Sequence, residues 1–201
     1  MFTRLLARLL VLSWMLVYSA AEAASPPMLT VEYSAHRRIE TDQGVIEGSV
    51  AAAPGMERSE MRMGSMSSSV MIMRNDRKVG YMVMPAQRMY LEVDLAQAAQ
   101  RSGTVAQDQL DLEAAGSETV SGLATTKYKF VTKDRSTGGF VWYSDEGIPV
   151  KMDVLSKYGS DKSRTTVTLH DVRIGEQDRT TFDVPAGFAR MPSGGLFGMK
   201  R

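Results

Sequence analysis

The run VMIMRNDRKVGYMVM, residues 70–84, decides how this chain folds. Two apolar stretches flank Asn75 and Asp76, whose short polar side chains favour tight turns. The run therefore reads as a β-hairpin. Each arm carries two methionines separated by one residue, Met71/Met73 and Met82/Met84. A strand turns alternate side chains to one face, so each pair sets two thioethers on a single surface. A third pair, Met61/Met63, comes just before, and nine of the fifteen methionines fall between Met56 and Met89.

Outward from this hairpin the chain continues as short alternating segments bounded by turn residues. The pattern predicts strands over 31–39, 45–52, 56–63, 69–74, 78–84 and 88–93. Asp94 then caps a short helix reaching Ser102, and residues 105–115 are expected to add a second helical or irregular piece. Strands resume over 118–120, 125–132, 140–144, 149–155 and 165–173, and the Phe182–Pro185 segment closes the domain. One short helix cannot cover a sheet of about ten strands. The expected fold is mainly β: a curved antiparallel sheet forming a half-open β-barrel, with the short helix as its plug.

The first residues have a different character. Arg4 and Arg8 precede an apolar run and the small-residue site Ala21, Glu22, Ala23, which is the layout of a secretory signal peptide. Cleavage after Ala23 is expected, with residues 24–191 as one domain and 192–201 as a loose Gly-containing tail. The predicted mature chain has 22 basic and 22 acidic residues, so net charge supplies no reason to expect nucleic acid or an anionic surface as partner. The chain has no cysteine, hence no disulfide and no acylated N-terminal cysteine. The expected protein is exported to the periplasm and not stably inserted in the membrane once the signal is removed.

Three chemical readings of the methionines remain open. They pack as core against the helix, they line a cavity for a lipid or acylated ligand, or they bind Cu(I) through soft sulfur. Parity places Trp142 with Phe140 and Tyr143 with Val141. The expected cavity lining is Met61, Met63, Met71, Met73, Met82, Met84, Met89, Trp142 and Met152. No G-x-S-x-G elbow, Walker loop or H-E-x-x-H motif occurs, so no catalytic residue and no cofactor is expected. His36 and His170 alternate with apolar residues, which predicts solvent-facing strand positions without a metal-ligand spacing.

Residues 70–90, with the GIPVKM segment at 147–152 and FDVPAGFARM at 182–191, resemble in the same order a Met-rich family of bacterial exported proteins, the DUF4412 type. That family is related to the LolA-type carriers of outer-membrane lipoproteins. The resemblance implies a LolA-like half-barrel with a helical plug and a hydrophobic cavity, a periplasmic location, and an envelope protein as a possible partner. No motif maps the functional arginine of such carriers onto one position of this chain; Arg37, Arg38, Arg58 and Arg62 are equally placed. The expected function is non-catalytic carriage or binding of a hydrophobic ligand. The alternatives are a structural or interaction protein with a filled core, and Cu(I) binding.

Overall fold

Tyr33–Thr41 (β1) lies at the middle of the fold, hydrogen-bonded on one side to Gly44–Ala53 (β2) and on the other to Asp161–Ile174 (β11). The computed structural model describes residues 27–62, 68–97, 110–158 and 161–191. The expected leader, Met63, the helix beyond residue 97 and the tail from 192 lie outside them.

From β2 the chain meanders outward as Met56–Arg62 (β3), Ser69–Arg74 (β4), Val79–Met84 (β5) and Met89–Asp94 (β6). The other half is built of Leu110–Val120 (β7), Leu123–Thr132 (β8), Thr137–Ser144 (β9) and Pro149–Tyr158 (β10), which leads into β11. A final short strand, Ala189–Arg190 (β12), pairs in parallel with β6. The described strands form one open sheet, ordered β12-β6-β5-β4-β3-β2-β1-β11-β10-β9-β8-β7, antiparallel except at the β12 edge.

Most of the expected strands are present, several one to five residues longer. Residues 110–115, expected as helical or irregular, instead belong to β7. Leu112 stands opposite Phe130 and is buried with it and Val141, so tertiary burial extends the strand. Its register shift between Ala114 and Ser117 absorbs Gly116 at φ 116°. The expected cap is seen: Asp94 Oδ1 accepts from the Gln97 N–H at 3.0 Å, and residues 95–97 are helical.

The main core of the sheet joins Tyr33, Ala35, Val50, Ala52, Ile148, Val150 and Leu169, and against it pack Val120 and Leu123 from the β7–β8 turn. Two glycines mark close approaches of the backbone. A Cβ on Gly48 would stand 2.0 Å from the Glu60 carbonyl oxygen, and one on Gly139 only 1.9 Å from that of Asp153. Such glycines let neighbouring strands close up where a sheet bends.

The face that carries this core is called inner below. On the outer face the C-terminal segment straps the β3–β6 hairpins. Phe182, within the 3-10 turn Arg179–Phe182, is fully buried. Arg74 ties the strap down: its Nε and Nη2 donate to Asp76 at 2.9 and 2.8 Å, and Nη1 donates to Asp183 at 2.8 Å. That guanidinium holds the Asp76 carboxyl below the usual carboxylate range.

Candidate functional site

Cross-strand register decides which face each methionine occupies, because residues directly opposite share a face. Met61 lies opposite Ser69, Met71 opposite Met82, Met82 opposite Leu91, and Met84 opposite Met89. Following the pairs through Gly48, Ile46, Ile39 and Val167 leads to Met152. Met61, Met71, Met73, Met82, Met84, Met89 and Met152 therefore all stand on the inner face. Met63 lies outside the described residues.

Burial separates these strands into two sides. Val70, Ile72 and Val83, which alternate with the methionines, are 1 %, 0 % and 1 % exposed under Tyr81, Tyr90 and Phe188. The methionines between them are only half-buried, and Met82 is 37 % exposed. The outer side thus carries the fixed packing, while the thioethers of the inner side keep open surface. Leu95, the first helical residue after β6, reaches this surface at one end: its Cδ2 lies 3.0 Å from the place of a Cβ on Gly80, with Met73 Sδ at 3.5 Å.

A small polar group borders the methionines. Arg37 Nη1 donates to Glu57 Oε1 at 2.9 Å. Arg37, Gly48 and Met61 form one cross-strand row, and the glycine contributes no side chain between the other two. The Arg37 Nε is buried and has no hydrogen-bond partner among the described residues. Tyr33, 1 % exposed, has its phenol pushed up to about 12 by burial and then by the charge of Glu57, with Arg37 acting in the other direction. Of the four arginines equally placed in the sequence, only Arg37 shares the methionine face. Arg38, Arg58 and Arg62 fall on alternate positions and belong to the outer face.

Trp142 does not join the methionines. It stands opposite Lys127 and Lys151, while Val141 stands opposite Met152. A register shift between Pro149 and Lys151 places one extra residue in β10, and that single residue moves Trp142 to the outer face. There it is 4 % exposed, donates from Nε1 to the Glu118 carboxylate, and touches Phe140 with ring centroids 6.1 Å apart.

The two histidines are both exposed, as expected, yet they are neighbours. His36 and His170 lie directly opposite each other on β1 and β11. Among the described residues no group of three or more His, Cys, Asp or Glu is placed to hold a metal. The thioethers of Met71, Met82, Met84 and Met89 are the soft donors that the register brings opposite one another. One described groove on the outer face, of about 680 Å3, runs along β1–β3 and is bordered by His36, Arg38, Glu47 and Glu60. Another groove, of about 480 Å3, lies over β8–β11.

The profile of the family described as "Domain of unknown function (DUF4412)" matches residues 39–146 of this chain. No curated protein matches it. Among solved structures, the crystal structure of MucB is similar with a TM-score of 0.51 and 11 % identity, over 81 % of this chain and 60 % of that one. The complex structure of Pseudomonas aeruginosa MucA/MucB follows at a TM-score of 0.49 and 10 % identity, over 79 % and 57 %. A putative outer membrane lipoprotein-sorting protein domain from Vibrio parahaemolyticus gives 0.35 and 10 %, over 75 % and 89 %. The chain thus spans about 60 % of the length of the MucB chain whose fold it shares. Among the described residues, no helix is long and apolar enough to cross a membrane.

Proposed function

This chain belongs to the DUF4412 family, and from the geometry of its inner face we propose that it is a non-catalytic periplasmic protein that binds or carries a lipid or acylated ligand on its methionines. One observation carries the reading. In strands β4 and β5 Val70, Ile72 and Val83 take the full burial, and the methionine positions keep partly open surface on the inner face. A row of flexible, polarizable side chains specifies a core poorly but adapts well to an apolar guest of variable shape.

Arg37 supplies the polar end of the site. Its unpartnered Nε is a buried donor, and a carboxylate or ester carbonyl of the guest would satisfy it. Glu57 holds the guanidinium in place from the other side. The ligand class that fits is therefore an acyl chain bearing an oxygen-rich head.

Native mass spectrometry of protein purified from the periplasm tests the proposal. A co-purifying acyl species, displaced by a fluorescent fatty acid, supports it. A ligand-free spectrum together with no uptake of the probe would leave the filled-core reading in its place. A saturable Cu(I) titration under reducing conditions, lost when Met71 and Met82 are changed to leucine, would favour the metal reading instead.

A further inference from the structure

The near-zero net charge of the chain conceals an uneven distribution. Several described arginines elsewhere sit beside acids: Arg37 with Glu57, Arg38 with Glu40 and Glu47, Arg179 with Glu32, Arg190 with Glu92. The outer face of β8–β11 differs. Its cross-strand rows run Lys127–Trp142–Lys151, Glu113–Lys129–Phe140–Asp153 and Val131–Gly138–Leu155–Arg164. Arg164 is held by Asp153 at 2.8 and 2.5 Å. The lysines are arranged otherwise. Lys127 Nζ stands 4.3 Å from the centre of the Phe140 ring and 4.8 Å from that of Trp142, and Lys151 Nζ is 4.8 Å from the same indole. Aromatic faces hold these cations, and the acids of this end of the face are Glu118, which accepts from the Trp142 indole, and Asp153, whose carboxyl is lowered chiefly by Arg164 and also by the two lysines.

The far end of the patch is more unbalanced. Lys157 and Lys162 lie directly opposite each other on β10 and β11, and both are exposed. Like charges so placed repel. With Arg135 they rim the groove of about 480 Å3, whose floor includes Val131, Phe140 and Leu155. Leu155 is 52 % exposed, an uncovered apolar side chain in a ring of cations. The patch crosses four strands, about 14 Å at the usual strand spacing, which is broader than one small anion.

We propose that this outer face docks on the anionic surface of a phospholipid bilayer, with the lysines on headgroup phosphates and Leu155 at the level of the acyl boundary. Basic residues near such a surface each strengthen attraction to it, and an exposed leucine adds the apolar contact. The surface is distinct from the methionine face and does not depend on the ligand reading above.

Flotation of the full chain with vesicles tests it. Vesicles of phosphatidylcholine with about 30 % phosphatidylglycerol are expected to bind at least about tenfold better than phosphatidylcholine alone, with the gain lost at about 500 mM salt. Lys157→Glu combined with Lys162→Glu should abolish the gain while near-ultraviolet circular dichroism keeps its wild-type form, and Arg135→Glu should weaken it separately. Met82→Glu should leave it intact, which separates this surface from the ligand site. Equal binding to both vesicles, or no effect of the charge reversals, would overturn the proposal. Binding of polyglutamate without binding of vesicles would overturn it in favour of an acidic polypeptide.

Discussion

Arg37 and Glu57 form an ion pair of 2.9 Å on the methionine face, and the same guanidinium keeps a buried Nε without an acceptor. A buried donor left unsatisfied costs about 1–3 kcal/mol. A ligand oxygen placed there recovers that cost at the moment of binding. Replacing Arg37 by methionine should therefore lower affinity for an ionised fatty acid by about tenfold. Affinity for a fatty alcohol of equal length should change far less. Probe displacement with both ligand classes checks the difference.

The two sides of β4 should differ in their tolerance of truncation. Ile72 is fully buried, and Ile72→Ala is expected to destabilise by about 2–5 kcal/mol. Met71, half-buried on the other side of the same strand, should cost about 1 kcal/mol or less on truncation. Urea denaturation of both variants reads the contrast, and equal losses would mean that the methionines are core.

Tyr33 gives the fold an alkaline limit. Its phenol stays neutral in the folded state up to about 12, against the ordinary phenol value of 10.0. The folded state thus holds the proton more tightly than the unfolded chain. The associated stability is whole below pH 10 and is lost as pH rises from there toward 12, by about 3 kcal/mol in all. Tyr33→Phe should flatten that part of the stability curve, measured by denaturation at stepped pH.

Acid acts at the strap. Asp76, held by Arg74, keeps its charge below the ordinary value of 3.8. The carboxyl is depressed in the folded state, so its contribution is present above 3.8 and is lost as pH falls through the lower folded value. Hydrogen exchange should then show early opening of the amides of Ala189 and Met191, which bond to Arg88 and Tyr90. Asp76→Asn should produce the same opening at neutral pH.

Local chemistry made much of this fold legible. The β4–β5 hairpin around Asn75 and Asp76, the same-face methionine pairs and the Asp94 cap all follow from period, turn residues and capping. Pairings between distant segments do not. The β1–β11 ladder joins residues more than a hundred positions apart, so the sequence did not signal that His36 and His170 meet. The outer strap over Val70, Ile72 and Val83 was equally hidden. Trp142 shows how little it takes: one bulged residue in β10 reverses its side relative to Met152. The lysine patch arises the same way, since evenly scattered charges become clustered only when β8, β10 and β11 lie together.

Met82 tests the central claim most directly, because it is exposed enough for the fold to accept a charge. Titration of a fluorescent fatty acid into wild type, Met82→Leu and Met82→Glu compares shape and polarity at one position. Wild type and the leucine variant should bind alike, and the glutamate variant should lose at least about tenfold in affinity with an unchanged melting temperature. Undiminished binding by Met82→Glu would contradict a ligand site on the methionine face.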